Sequence, residues 1–186
     1  MIQPRKKGAA DEVDQDRDAL RRREILDAAL SCFLQFGYTK TSLEDIAKAA
    51  HLSRPLIYRK FKNKEEILKA VFENVFEGRY ERAAELLESG ASKRAKLLGL
   101  CELLYIEPWM RVSGTAMATE LYEACNRIDG EGNERRKRRF LKCLQSVVGA
   151  KDVAEVFMLA AEGLSADVPT GNVLRRRIEV LVGRFA

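Results

Sequence analysis

The chain has a single histidine and a single tryptophan among 186 residues, and no apolar run as long as a membrane span. It also lacks the G-x-S-x-G, H-E-x-x-H and glycine-rich phosphate-loop patterns of common enzyme classes. The histidine, His51, has no nearby set of cysteines or carboxylates with metal-ligand spacing. We therefore predict no catalytic residues, no metal and no cofactor, and a protein that is not an enzyme.

Cysteine is scarce and widely spaced. The four residues are Cys32, Cys101, Cys125 and Cys143, and none forms a C-x-x-C pair. The first residues lack the apolar stretch of a signal peptide, so we expect reduced thiols, a cytoplasmic location and no membrane partner. The last three cysteines are either a redox sensor or small core residues, and their irregular helical spacing favours the core.

The net positive charge of the chain is modest, but it is concentrated in one segment. Lys and Arg exceed Asp and Glu by 33 to 28, but residues 36–64 alone hold seven basic and two acidic side chains. Such a local excess favours an anionic partner for this segment. A second basic run, Arg135–Arg139, is either a phosphate-binding patch or a solvated helix face. The second interpretation is favoured because Phe140, Leu141 and Leu144 supply a buried side just downstream.

The hydrophobic spacing is helical from Asp18 onward. Residues 1–16 have no apolar period and are predicted to be a mobile tail, whose basic tripeptide at 5–7 is either solvated or a DNA contact. One face of the first helix, which ends at Gly37, holds Ile25, Ala29, Cys32, Phe33 and Phe36.

Two short helices with a turn between them are predicted over residues 42–61. Ser42 with Asp45, or else Thr41 with Glu44, caps the first. Ser53 caps the second through its hydroxyl, and Asn63 with Glu66 then opens a further helix. The second short helix is predicted to bury Ile57 and Phe61 and to expose Arg54, Tyr58, Arg59 and Lys60. This pattern is that of a helix-turn-helix, in which a thin basic helix enters a DNA major groove.

Every segment beyond Gly78 is also predicted to be helical. Breaks are expected near Gly90, at Glu107-Pro108, over 129–132, at Gly149-Ala150 and over 167–171. No run of β-branched residues alternates with period two. The fold class is therefore all-α with about nine helices: a tail over 1–16, a DNA-binding domain over 17–64 and a second helical domain over 65–186.

Residues Ala28 to Leu68 closely resemble the DNA-binding domain of TetR-family repressors. The resemblance lies in three stretches: Phe33-x-x-x-Gly37-Tyr38, Thr41-Ser42-x-x-Asp45-Ile46-Ala47 and Leu52-Ser53-x-x-x-Ile57-Tyr58-x-x-Phe61-x-x-Lys64-Glu65. The turn departs from the family pattern, since His51 replaces the usual glycine. Histidine is among the few side chains enriched at positive φ, so the turn is still expected.

The resemblance implies which residues bind DNA. Phosphate contacts are implied for Ser42, Tyr58, Lys60 and Lys64, and base contacts for Arg54, Pro55, Leu56 and Arg59. Thr41, at the same helix start as Ser42, is included among the DNA-binding residues. Physically, a helix N-terminus attracts phosphate, and an arginine can pair bidentately with guanine.

The resemblance also implies that the second domain senses a small molecule. A homodimer is predicted because one short recognition helix buries too little surface for specific affinity and because palindromic sites match paired half-sites. Apolar and aromatic candidates for the ligand pocket are Phe76, Leu100, Leu104, Trp109, Met110, Met117 and Leu121. Most of these could equally be core residues. The last two helices are predicted to form the dimer interface through Val153, Phe157, Leu164, Leu174, Ile178, Leu181 and Phe185.

The sequence thus predicts a dimeric repressor that binds a palindromic double-stranded DNA operator and is released by a small apolar or amphipathic effector. The alternative is a helical architectural or protein-binding module that does not read DNA specifically. A comparison of operator and random DNA at one salt concentration separates the two.

Overall fold

A computed structural model describes residues 8–186, with side chains from residue 16 onward. Within this part all regular elements are helical, which confirms the predicted all-α fold. The helices are α1 (Gly8–Phe36), α2 (Leu43–Ala49), α3 (Arg54–Lys60), α4 (Lys64–Phe76), α5 (Arg79–Glu88), α6 (Lys93–Cys101), α7 (Glu107–Val112), α8 (Ala118–Ile128), α9 (Gly130–Val148), α10 (Lys151–Gly163) and α11 (Gly171–Phe185). A π-helical turn, Glu102–Ile106, joins α6 to α7.

The first helix starts earlier than predicted. Helix α1 begins at Gly8, so the expected tail is wrong for residues 8–16, whereas the basic tripeptide at 5–7 lies outside the described residues. The segment lacks apolar periodicity but contains good helix formers, and acidic residues near a helix N-terminus are favourable. Propensity and charge therefore outweigh the missing apolar face.

The chain divides into two compact units between Asn74 and Val75. This boundary lies ten residues beyond the one predicted at 64/65. Most of α4 therefore belongs to the first unit, where Lys64 donates hydrogen bonds to the turn between α1 and α2.

The core of the first unit follows the predicted periodicity closely. Ile25, Phe33, Ile57 and Phe61 are almost completely buried, as are Ile46 and Ala47 of α2. Phe36, expected on the same face as Phe33, is instead 50% exposed at the last turn of α1. Gly37 ends that helix with φ +87°, a left-handed conformation that glycine adopts without a Cβ clash.

The second unit has one apolar core shared by α5–α7 and α9–α11, with Leu97, Leu100, Leu144 and Phe157 fully buried. Helices α6 and α7 run on through the π turn, because Cys101, Ile106 and Glu107 keep right-handed helical dihedrals. The break predicted at Glu107-Pro108 is therefore wrong. The Glu107 N–H donates to the Glu102 carbonyl, and this wider turn gives the Pro108 ring room that a plain α-helix would not.

The predicted dimer stripe proves to be mostly internal. Phe157, Leu174 and Ile178 are at most 1% exposed within the second unit, so their assignment to a dimer interface is wrong. Leu164, Leu181 and Phe185 are partly buried against the same core. Helices α10 and α11 each have apolar residues on two faces. Periodicity identified mainly the face that packs inside the second unit. The residues left exposed are Val153, Val156 and Leu159 on α10 and Val173 and Val180 on α11.

The residues predicted to line a ligand pocket differ in burial. Leu100, Leu104 and Leu121 are buried, Phe76 and Met117 are half-buried, and Met110 is 45% exposed. The Trp109 ring stacks on Tyr122 at 5.9 Å between centroids, and its indole N–H donates to the Pro169 carbonyl at 3.4 Å. Leu100 and Leu104 belong to the core of the second unit. Their role in a pocket stays a prediction.

The basic run on α9 is not uniformly solvated. Arg135, Arg138 and Arg139 are exposed, but Arg136 is buried. Both terminal nitrogens of Arg136 lie 3.1 Å from Asp129 Oδ2, and the guanidinium is 5.7 Å from the centre of the Phe76 ring. The interpretation as a wholly solvated face is therefore wrong for Arg136.

Candidate nucleic-acid interface

Helix α2 begins with the capping box that the sequence predicts. Asp45 N–H donates to the Ser42 hydroxyl at 3.2 Å, and Ser42 N–H donates to the Asp45 carboxylate at 2.9 Å. The hydrogen bonds from Ser42 hold the pKa of Asp45 below its ordinary value. Two helix-terminal N–H groups are thereby satisfied, and the start of this seven-residue helix is fixed.

The turn between α2 and α3 is tight and left-handed at His51. This residue has φ +54°, as the resemblance to a glycine-containing turn implied. Its N–H donates to the Lys48 carbonyl at 3.1 Å, and Leu52 N–H donates to the Ala47 carbonyl at 2.9 Å. These bonds close the end of α2 and direct the chain into α3.

Helix α3 starts where predicted but is capped differently. Ser53 is the N-cap residue, yet its hydroxyl makes no capping bond. The Ser53 carbonyl instead accepts the N–H of Leu56 at 2.9 Å. Pro55 lies in the first turn, where a missing N–H is tolerated.

The outward face of α3 is positively charged. Arg54, Pro55, Tyr58 and Arg59 are exposed, whereas Ile57 is buried. The Arg54 Nη2 donates to the Tyr58 hydroxyl at 3.3 Å, and its guanidinium lies 5.4 Å from the centre of the Tyr58 ring. Each side chain limits the movement of the other, so Arg54 and Tyr58 form an exposed pair.

Two basic residues instead tie α3 to α1. Lys60 Nζ pairs with the Asp18 carboxylate, and the Lys60 side chain is half-buried. The Arg22 guanidinium lies 4.6 Å from the centre of the Phe61 ring. The sequence prediction that Lys60 is an exposed residue is wrong, because its charge is already balanced by α1.

Two further residues that were predicted to bind DNA, Thr41 and Lys64, make hydrogen bonds within the first unit. Thr41 is 2% exposed, and its hydroxyl donates to the Gly37 carbonyl at 2.7 Å, so it is not available to bind DNA. Lys64 Nζ lies 2.7 Å from the carbonyls of Tyr38 and Thr41. Sequence reasoning missed the pairings of Lys64, Asp18 and Arg22, because they join distant residues and leave no local pattern.

The chemistry of the remaining candidates favours structural roles. Burial raises the pKa of the Cys101 thiol to about 12 and that of Cys125 to about 11. Both thiols are therefore protonated at neutral pH and poor nucleophiles, which favours the core interpretation over a redox sensor.

Over the residues with described side chains, no group of His, Cys, Asp and Glu could hold a metal ion. Among the described helices, none is long and apolar enough to span a bilayer.

Comparison with known proteins identifies the same region. The family described as bacterial regulatory proteins, tetR family, matches residues 25–71. The HTH-type transcriptional regulator YhgD of Bacillus subtilis (strain 168) is 38% identical over 68 residues, which cover 37% of this chain and 36% of that protein. The HTH-type transcriptional repressor KstR2 of Mycolicibacterium smegmatis is 32% identical over 82 residues, 44% of this chain and 40% of that protein. The match thus spans less than half of each relative.

The fold itself is shared over a greater length. The crystal structure of a TetR-like transcriptional regulator from Rhodococcus sp. RHA1 superposes with a TM-score of 0.63 at 24% identity, over 89% of this chain and 95% of that one. The likeness in fold therefore extends well beyond residue 71. TetR-family regulators are not enzymes, which agrees with the prediction made from the sequence. Residues 25–71, which contain α2 and α3, thus match the bacterial regulatory proteins of the tetR family, and the chain as a whole shares the fold of a TetR-like regulator.

Proposed function

We propose that this protein is a DNA-binding transcriptional repressor that binds a palindromic operator as a homodimer. The observation that carries the proposal is the outward face of α3, where Arg54, Tyr58 and Arg59 are exposed while Ile57 is buried. A short helix of this charge fits a major groove, in which arginine pairs bidentately with guanine.

The contacts divide by chemistry. Arg54 and Arg59, with Pro55 and Leu56 beside them, are the proposed base-reading residues. Ser42 and the Tyr58 hydroxyl are the proposed phosphate contacts, which fix the register of α3 on the duplex. Lys60 is left out because Asp18 already pairs with it.

A second copy is needed because one recognition helix buries too little surface for specific binding. Helices α10 and α11 pack against each other and support this part of the proposal with their exposed apolar residues, Val153, Val156, Leu159, Val173 and Val180. Two helices from each copy would form a four-helix bundle. The two recognition helices must then lie about 34–36 Å apart to reach successive major grooves.

A competition assay tests DNA reading. The probe is an inverted repeat from the DNA that flanks the gene, and the competitor is a random duplex of equal length at the same salt concentration. We expect a preference of about a thousandfold or more for the inverted repeat. A ratio near one for every candidate repeat would favour the alternative, a helical module without specific DNA reading.

Two substitutions on α3 should have different effects. Arg54→Ala is expected to weaken operator binding by about 1–3 kcal/mol and to relax preference at one base pair, because it removes a base contact. Tyr58→Phe should weaken binding to all sequences alike, because it removes a phosphate contact. Binding to single-base operator variants measures both, with exposed Arg138→Ala on α9 as the control. Equal losses on every operator variant for Arg54→Ala would contradict its base-reading role.

The repressor is further proposed to release DNA when a small apolar or amphipathic effector binds in the second unit. Two aromatic pairs of this unit support this: Trp109 stacks on Tyr122, and Tyr105 stacks on the buried Phe140 at 6.3 Å between centroids. Quenching of Trp109, the only tryptophan, gives a direct binding assay for candidate compounds. A hit should lower operator affinity by about 5- to 150-fold. A compound that binds tightly but leaves operator affinity unchanged would argue against this switch.

A further inference from the structure

A carboxylate of α2 reaches across the turn to the first residue of α3. Glu44 Oε2 lies 4.0 Å from Arg54 Nη1, and its other oxygen, Oε1, lies 3.0 Å from Lys48 Nζ one turn along α2. All three side chains are more than half exposed. We infer that Glu44 is a specificity-determining residue, which positions Arg54 for a base contact and disfavours its contact with a phosphate. The inference rests on the proposed function, because it concerns how Arg54 reads DNA.

The Arg54 guanidinium is held from two sides. Its Nη2 donates to the Tyr58 hydroxyl on α3, and its Nη1 faces Glu44 on α2. A guanidinium has five N–H donors, so these two contacts leave further donors for guanine. A side chain that is already oriented loses less conformational freedom when it binds a base edge. The contact with Glu44 therefore prepares Arg54 for base reading.

The position of Arg54 favours a nearby negative charge. Arg54 is the first residue of α3, whose first turn has no acidic residue. A helix N-terminus carries partial positive charge, which makes a cation there unfavourable. Only two acidic residues, Glu44 and Asp45, lie between Ser42 and Phe61 in the sequence, and the Asp45 carboxylate accepts hydrogen bonds from Ser42. Glu44 is therefore the acidic residue of this segment that balances the charge of Arg54.

The Glu44 carboxylate affects the two kinds of DNA contact differently. A phosphate and a carboxylate are both anions and repel each other, whereas the guanine edge presents the neutral acceptors O6 and N7. Arg54 beside Glu44 can therefore pair with guanine, but a phosphate contact of Arg54 would bring two anions together. Random DNA is bound almost entirely through its phosphates. Glu44 thus weakens random binding more than operator binding, and this difference is specificity.

Four variants isolate this role. Glu44→Gln removes the charge and keeps the size and helix propensity of the side chain. Arg54→Ala removes the side chain through which Glu44 is inferred to act, and the double variant completes a thermodynamic cycle. Glu162→Gln is the matched control, because Glu162 forms a partly exposed ion pair with Lys137, at 3.1 Å, in the second unit. Both glutamate variants raise the net charge of the chain by the same amount.

Two measurements on DNA use the inverted repeat that the competition assay selects. The first is the affinity ratio between this operator and its single-base variants, which gives the preference at the base pair read by Arg54. The second is the affinity for a random duplex of equal length at several salt concentrations between about 50 and 200 mM.

We expect Glu44→Gln to lower the preference at the Arg54 base pair by about three- to fivefold, because exposed ion pairs have effects of this size. Affinity for the random duplex should rise by a similar factor. Its salt slope should become steeper by up to about 0.9, the contribution of one phosphate contact. In the Arg54→Ala background, Glu44→Gln should cause no further loss of preference at that base pair. Glu162→Gln should leave both measurements near the wild-type values.

Three results would overturn the inference. A loss of preference of equal size with and without Arg54 would show that Glu44 does not act through Arg54. An equal rise of random binding in Glu162→Gln would assign the effect to net charge alone. A loss confined to a different base pair would indicate that Glu44 binds a base itself, such as the amino group of cytosine.

A measurement without DNA separates this inference from the proposed function. Nitrogen-15 relaxation of the Arg54 Nε–H group, assigned by its absence in Arg54→Ala, reports how mobile the guanidinium is. We expect greater mobility in Glu44→Gln than in the wild type or Glu162→Gln, and equal mobility would contradict the positioning role. If the wild type discriminated between no duplexes, the proposed function and the DNA part of the inference would both fail. The relaxation measurement would still decide whether Glu44 orients Arg54.

Discussion

Replacing Arg136 with methionine is expected to lower the free energy of unfolding by about 3–5 kcal/mol. The side chains of Arg136 and Asp129 are only 6% and 11% exposed, and both terminal guanidinium nitrogens bind one carboxylate oxygen. The substitution removes the cation and leaves the Asp129 carboxylate buried without it. Desolvation of an uncompensated charge is what makes the loss large.

Urea and thermal unfolding measure this effect, and the melting temperature should fall by roughly 6–20 °C. Arg138→Met, two residues along α9 but exposed, is the matched control and should change stability by less than about 0.5 kcal/mol. The double variant Arg136→Met with Asp129→Asn should recover part of the loss, since no charge is then buried. A single Arg136 variant as stable as the wild type would show that solvent already compensates Asp129.

Replacing Leu159 with aspartate is expected to weaken the proposed homodimer by at least about a hundredfold. Leu159 is 64% exposed in the single chain and lies one turn from Val156 on α10. In a two-fold interface each copy contributes the same patch, so one substitution introduces two carboxylates into an apolar contact. Their desolvation opposes association from both sides.

Analytical ultracentrifugation over a range of concentrations checks this prediction. Leu20→Asp is the matched control, because Leu20 on α1 is a leucine of similar exposure, 59%, outside the proposed interface. Operator affinity should fall with the dimer for the Leu159 variant. A Leu159→Asp protein that still sediments as a dimer would place the interface elsewhere, and a monomeric wild type would contradict the dimer itself.

Local sequence patterns predicted several structural features of the first unit correctly. The Ser42–Asp45 capping box, the left-handed His51 and the burial of Ile57 and Phe61 all depend on residues within a few positions of each other. Side-chain hydroxyls, φ preferences and helical periodicity act over that range. These features were therefore predictable without any knowledge of the rest of the fold.

Contacts between residues that are far apart in the sequence were not predicted. Sequence patterns gave no sign of the partners of Lys60 and Lys64, which lie 42 and about 25 residues earlier in the chain. Periodicity likewise could not tell which apolar face of α10 is internal, so Phe157 was assigned to a partner and Leu159 was overlooked. A pattern along one helix contains no information about which neighbour covers each face.

The π-helical turn at Glu102–Ile106 affects how this chain is compared with its relatives. A π turn holds one residue more than the α turn it replaces, so a relative with a plain α-helix here would be one residue shorter between Cys101 and Glu107. An ungapped alignment through this segment would then rotate every later position by about 100° around the helix axis. Trp109 would be equated with a residue on another face. A correct alignment with such a relative therefore places a single-residue gap within residues 102–106.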